Sequence, residues 1–340
     1  MSAPPIVADP ASVRQVDTSD DRLLALTDEG GSSMEYRSLG NSGLRVSVAG
    51  LGCNNFGMRI DYDRTVAVLD AAIEAGVNFF DTARMYGGGK SEEFMGDALK
   101  GKRDQVILAT KFGGPTKPND STGSRQHLMR SVEISLRALQ TDYIDLFQLH
   151  YPDPQTPIDE TLAAMDTLVK QGKVRYIGCS NFTGWMIADA EWTAKTRGYE
   201  RFVTVQNEWS LLSRGLELEV RDACVHFGAS ILPFFPLASG FLTGKVKRGE
   251  QAPEGSRLAN AYFAASMTDS NFDKVEKLQA WADEHDRSMT EVALSWLASQ
   301  PVVGSVIAGA TSPEQVVANA AATKTDLTTD EVAEIGALMA

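Results

Sequence analysis

The chain has 340 residues, 43% of them hydrophobic, and a formal net charge of −13. That length allows one large domain or two ordinary ones, and the apolar share is enough for a sizeable core. The acidic balance argues against nucleic acid and against an anionic membrane surface as partners, because basic patches supply the affinity for both.

No apolar run approaches the ~20 residues of a transmembrane helix. The first residues, "MSAPPIVADPASVRQVDTSDD", lack the basic start and long apolar stretch of a signal peptide. Three scattered cysteines, Cys53, Cys179 and Cys224, suggest free thiols and a cytoplasmic setting, not a disulfide framework. Residues 1–33 are rich in Pro, Ser, Asp and Ala and read as a flexible N-terminal extension ending in the linker "DEGGSS".

From Met34 the pattern becomes regular. "MEYRSLGNSGLRVSV" predicts a hairpin turning at Asn41 to Gly43. Eight short apolar strands follow: 48–52, 77–80, 106–111, 143–150, 174–180, 202–206, 231–235 and 304–309. Between them the period becomes helical. Val66, Leu69 and Ile73 make one stripe, and Leu128, Val132, Leu136 and Leu139 a second. Leu162, Met165 and Val169 form a third, and Leu216, Val220, Ala223 and Phe227 a fourth. The long interval from 231 to 304 holds a Gly/Pro-rich loop (239–260) and two helical stretches. Eight β-α units over residues 34–340 predict a (β/α)8 barrel with an N-terminal β-hairpin and two extra helices. A doubly wound sheet would want a G-x-G-x-x-G turn, and "GLGCNNFG" misplaces its third glycine.

Active sites of such barrels lie at the C-terminal ends of the strands. Asp81 and Tyr86 follow the second strand, Lys111 ends the third and His150 the fourth. Singly, each has an ordinary explanation: a turn cap, a half-buried aromatic, a snorkelling lysine, a core histidine. Together they make chemical sense. A lysine oriented by a carboxylate lowers the pKa of a neighbouring phenol, which is otherwise ~10. A histidine can hold a carbonyl oxygen while the phenol protonates it. Hydride must then come from a cofactor, because no side chain supplies it.

At this point the sequence resembles the aldo-keto reductase superfamily. The resemblance runs from Met34 to about Ala340, through "DTARMYGGGKSEEFMGDALKG", "ATKFGG", "TDYIDLFQLHYPDP", "GKVRYIGCSNF", "VQNEWSLL", "PLASGFLTGK" and "SVIAGATSPEQVVAN" in the family's order. It implies a barrel that binds NADP(H) without a Rossmann fold, and a catalytic tetrad of Asp81, Tyr86, Lys111 and His150. It further implies that Ser180, Asn181 and Gln206 contact the nicotinamide carboxamide and that Phe234 stacks on its ring. Gly52, Cys53, Asn54 and Pro236 fall in the cofactor set. Leu237, Ser239, Gly240, Leu242 and Lys245 match the loop around the pyrophosphate, where Lys245, Lys247 and Arg248 form a basic cluster. Gly309 and Gln315 stand where many members carry a lysine and an arginine for the 2′-phosphate, while Asn319 is retained. The phosphate is then left to backbone N–H groups near Thr311 and Ser312, or to Lys245, and NAD(H) is an alternative. Met58, Arg59, Tyr151 and Trp209 are substrate-pocket candidates. Arg84 with Arg59 offers positive charge near the mouth, or else a surface salt bridge.

The resemblance thus implies reduction of a small-molecule aldehyde or ketone, or the reverse, and leaves homo-oligomers open. A competing expectation is a redox-sensing binding module, because channel β-subunits share this fold and tetrad. Metal-dependent hydrolysis on a similar barrel would need a His/Asp ligand cluster, and only one of four histidines sits at a predicted strand end, so no metal is expected.

Overall fold

A computed structural model describes residues 34–114, 121–253, 256–324 and 326–340. The expected extension over residues 1–33 lies outside them. The predicted hairpin is present: β1 (Tyr36–Ser38) pairs antiparallel with β2 (Arg45–Ser47), Tyr36 opposite Ser47. The Leu39 amide donates to the Leu44 carbonyl at 2.8 Å and closes the turn.

All eight predicted barrel strands form. They are β3 (Ala49–Gly52), β4 (Phe79–Asp81), β5 (Ile107–Phe112), β6 (Ile144–Leu149), β7 (Val174–Ser180), β8 (Phe202–Gln206), β9 (Ser230–Ile231) and β10 (Val306–Gly309). They pair in parallel in the order β10-β3-β4-β5-β6-β7-β8-β9. The ring closes where the Ile231 amide donates to the Val302 carbonyl at 2.8 Å and the Ile307 amide to the Pro233 carbonyl at 3.1 Å.

Helices α1 (Tyr62–Glu74), α2 (Lys90–Ala98), α3 (Arg125–Leu139), α4 (Ile158–Lys170), α5 (Gly184–Arg197) and α6 (Val220–Phe227) alternate with the strands. A four-residue helix, α7 (Ala261–Ala264), precedes α8 (Asp269–Glu284) and α9 (Met289–Ala298). The chain ends with α10 (Pro313–Ala322) and α11 (Thr329–Leu338). Four of these helices continue the stripes read from sequence. Of the first six helices, two gave no stripe: α2 is short, and α5 spreads Trp185, Ile187, Ala190 and Trp192 around its circumference.

Two apolar layers fill the molecule. One lies between the strands and the helices. The other is the barrel's lower interior, where Leu39, Leu44 and Val46 of the hairpin pack with Phe79, Ala109, Leu146, Leu232 and Ile307. Burial of such side chains stabilises by roughly 1.5–3 kcal/mol each. The hairpin therefore seals the N-terminal end, and chemistry is left to the opposite rim.

Candidate active site

The rim begins as an extension of the sheet. Past β4, the Thr82 amide still donates to the Ala109 carbonyl at 2.9 Å, and the Arg84 amide to the Lys111 carbonyl at 3.1 Å. The loop carrying Tyr86 is thus zipped to β5, which carries Lys111. Glycines then turn it sharply. Gly87 and Gly89 have φ of 60° and 102°, a region disfavoured for other residues. A Cβ on Gly87 would stand 2.9 Å from the Phe56 carbonyl oxygen, and one on Gly89 2.0 Å from Arg84 Nη1. The glycine triplet lets the loop fold flat against the end of β3 and under the Arg84 guanidinium.

The four polar residues converge as expected. Lys111 is fully buried and donates from Nζ to Asp81 Oδ2 at 2.5 Å, to the Thr82 carbonyl at 2.8 Å and to Tyr86 Oη at 3.4 Å. Asp81 Oδ1 accepts from Gln206 Nε2 at 2.9 Å and from Gln148 Nε2 at 3.2 Å. The Tyr86 and His150 rings meet edge to face, 5.8 Å between centroids. His150 in turn stacks on Tyr151 at 4.7 Å. Its Nδ1 is buried with no hydrogen-bond partner, a cost that native structures tolerate mainly where a ligand or catalytic role explains it.

Electrostatics sharpen the picture. Burial lowers the affinity of Lys111 for its proton, but Asp81 and Tyr86 together more than offset it, so the ammonium is held charged. Burial drives His150 down to about 3, helped by the Lys111 charge, so the imidazole is neutral. Burial pushes the Tyr86 phenol up, and Lys111 pulls it back only in part. The net direction is upward, against the expectation from the lysine alone, because desolvation outweighs its charge.

Beside this cluster runs a strap from β9 to α7. Its backbone is unusual: Phe235, Ala238 and Ser239 adopt φ of 52°, 45° and 60°, and Gly240 adopts 103°. Asn181, across the rim, has φ 61°. Non-glycine residues in this region carry strain that their surroundings must hold. Asn181 donates from Nδ2 to the His150 carbonyl at 2.9 Å, and Ser180 Oγ donates to the Gln206 carbonyl at 2.6 Å. The strap ends at Arg257, whose Nη2 donates to Asn54 Oδ1 at 2.8 Å and Asn55 Oδ1 at 3.2 Å. Its guanidinium lies 5.3 Å from the Phe235 ring centroid.

The Aldo/keto reductase family model matches residues 49–340. The chain belongs to the aldo/keto reductase family. It is 38% identical over 297 residues to "Uncharacterized oxidoreductase YrpG" of Bacillus subtilis (strain 168), spanning 83% of this chain and 89% of that one. It is also 38% identical over 296 residues to a "Probable voltage-gated potassium channel subunit beta" of Oryza sativa subsp. japonica, spanning 84% and 90%. Among solved structures, the holo form of aldo-keto reductase AKR11C1 from Bacillus halodurans superposes with a TM-score of 0.75 at 33% identity, over 90% of this chain and 96% of that one. Membership identifies the chain as an oxidoreductase with the (β/α)8 fold. Among the described residues no helix is long and apolar enough to cross a membrane, and no cluster of three metal-ligating side chains occurs.

Within this aldo/keto reductase several expected residues fall elsewhere than the sequence suggested. Trp209 is wholly buried: its ring meets Trp296 edge to face and its Nε1 donates to Glu217 Oε1 at 2.9 Å. Leu242 likewise turns its side chain into the core. Arg248 leaves the expected basic cluster, because Asp269, Asp273 and Glu276 of α8 surround it. The start of α10 is already satisfied: Gln315 Oε1 accepts from both the amide and the hydroxyl of Thr311, at 2.8 and 2.9 Å, and Ser312 caps the helix through its hydroxyl. Asn319 reaches the Gly309 carbonyl at 3.5 Å. Cys53 is buried and its thiol raised well above the ordinary range by burial, which fits an unreactive packing role.

The remaining expected residues stay at the rim. Gly52, Asn54 and Gly309 lie at or just past the ends of β3 and β10, Phe234, Pro236, Leu237, Ser239 and Gly240 lie in the strap after β9, and Lys245 beyond them is exposed. Met58 is 67% exposed and Arg59 is exposed beside it. Arg84 faces the buried Glu92, not the mouth. The sequence reading missed Arg257. It sits in an apparently ordinary loop, and only its fold back onto Asn54 and Gly309 marks it.

Proposed function

We propose that the protein reduces an aldehyde or ketone to the alcohol, or runs the reverse, with NADP(H) as cofactor, NAD(H) as the alternative, and Tyr86 as proton donor. The observation that carries this reading is the buried chain Asp81–Lys111–Tyr86 beside a neutral His150.

The residues present suit a nicotinamide dinucleotide. A strained strap stands along the rim, a desolvated arginine lies at its end, and burial lowers the proton affinity of Arg257, with Arg59 adding to the effect. Two like charges brought near each other favour an anion between them or beside them. Arg257 and Lys245 would hold phosphate groups, since α10 offers few free donors. Ser180 and Asn181 would hold the carboxamide, and Phe234 would present its ring face. When bound, the cofactor supplies or accepts the hydride.

This chain's own residues handle the proton. Tyr86, protonated near neutrality as any phenol is and held more firmly so by burial, donates from Oη to the substrate carbonyl oxygen. Lys111 stabilises the phenolate that remains, and Asp81 keeps Lys111 charged and aimed. Neutral His150 donates one N–H to the same oxygen without setting a second cation against Lys111. The half-buried Tyr151 ring, stacked on His150, fixes the imidazole plane.

Cofactor oxidation, followed at the nicotinamide absorbance with NADPH and NADH in parallel on a carbonyl panel, tests the reading. Turnover with either supports it. Tight cofactor binding without turnover on any carbonyl or alcohol would favour the second reading, a redox-sensing module, which the printed name of the rice relative motivates.

A further inference from the structure

Beneath the tetrad lies a second polar layer that the mechanism above does not use. Its members come from the first turn of α2. Ser91 Oγ donates to the Cys53 carbonyl at 2.9 Å and shares a hydrogen bond of 2.8 Å with Thr82 Oγ1. Glu92, wholly buried, accepts from Thr110 Oγ1 at 2.7 Å through Oε1. Its Oε2 has no hydrogen-bond partner and stands 3.9 Å from Arg84 Nη1. Each anchored residue adjoins a reacting one: Thr82 follows Asp81, Thr110 precedes Lys111, and Arg84 lies two residues before Tyr86. A carboxylate on the first turn of a surface helix usually faces water; this one points into the barrel wall.

We propose that Glu92 is a positioning residue: by holding Thr110 with one oxygen and facing Arg84 with the other, it locks the segment carrying Lys111 to the loop carrying Tyr86. The inference rests on the reductase reading above. A buried carboxyl is expensive unless its contacts return something. Here the two oxygens together span the chain segments whose spacing sets the 3.4 Å approach of Lys111 Nζ to Tyr86 Oη. Burial raises the Glu92 carboxyl, with Thr110, Ser135 and Arg84 acting against it. The acceptor to Thr110 is therefore the contact that a substitution must preserve, whatever the charge.

The test compares Glu92→Leu, Glu92→Gln and Thr110→Val in the full chain. Leucine removes the acceptor, glutamine keeps it, and Thr110→Val removes the donor with little change of shape. Glu92→Leu and Thr110→Val should each lower kcat on the order of 10- to 100-fold, the scale of a ~1 Å misplacement of reacting groups. Cofactor Kd should stay within about twofold, and the primary isotope effect with deuterated cofactor should rise. Glu92→Gln should recover most of kcat, and the Leu/Val double variant should be no worse than the worse single one. A folded Glu92→Leu with wild-type kcat and isotope effect would overturn the proposal. So would a loss shared equally by cofactor binding and not rescued by glutamine. Crystal structures of Glu92→Leu and Thr110→Val read the inference apart from activity: an undisturbed Lys111–Tyr86 approach in both overturns it, even if the wild-type protein turns over no carbonyl and the reductase reading itself falls.

Discussion

Around Asp81, Lys111 and His150 the rim is held by side chains, whereas around Phe235, Ala238, Ser239 and Gly240 it is held by backbone shape. In the first region Asp81 takes three side-chain hydrogen bonds and Lys111 donates three, all within a buried ring of strand ends. In the second, left-handed residues, short 3-10 turns and one folded-back arginine define a strap with much of its chain exposed. The contrast teaches where rigidity is needed. Proton transfer requires groups placed to a fraction of an ångström. The strap instead holds several residues in left-handed backbone, a conformation that its surroundings must maintain.

Experiments that break the first region should have the largest effects. Tyr86→Phe removes the proposed proton donor and should lower kcat by about 10²–10⁴-fold with cofactor Kd within a few fold; retained turnover would remove Tyr86 from the mechanism. Lys111→Met leaves burial and Asp81 unopposed, both of which raise the phenol. Residual activity should then show its phenol-linked limb at higher pH than wild type, and an unmoved limb would mean that Lys111 does not tune Tyr86.

His150 gives the cluster a stability signature. Its pKa falls from 6.5 in the unfolded chain to about 3 in the folded one. Between those values the unfolded chain binds the extra proton, so stability falls as pH falls, by about 1.4 kcal/mol per pH unit. Urea titrations at pH 7, 5.5 and 4 should show the loss, and His150→Asn should flatten it.

Changes in the strap should be milder. Arg257→Ala should weaken cofactor binding by roughly tenfold, the scale of one charge-assisted contact, while kcat at saturation holds. Binding of both dinucleotides measured side by side decides its partner: loss confined to NADPH assigns the 2′-phosphate, and equal loss assigns the pyrophosphate. Ser239→Gly should have the smallest effect, relaxing a left-handed residue and raising stability by about 0.5–1 kcal/mol in a thermal melt.

The same division explains what the sequence could tell. Strands and tetrad were legible because apolar runs and strand-end side chains repeat with a local period, and four such residues fell on three consecutive strand ends. The strap was not. Arg248 reads as part of a basic cluster until α8 brings Asp269, Asp273 and Glu276 against it, and Arg257 reads as loop until it meets Asn54, some two hundred residues earlier. Trp209 reads as a rim residue until its ring meets Trp296, because a strand-end position says nothing about which way the next side chain turns. Glu92 resembled any acidic residue of a helix start. In each case the missing information was a long-range pairing, which no local window contains.

The hairpin under the barrel has one further consequence. With Leu39, Leu44 and Val46 packed into its lower end, the barrel is stoppered from below, so any molecule that reaches the strand ends must come from the opposite rim.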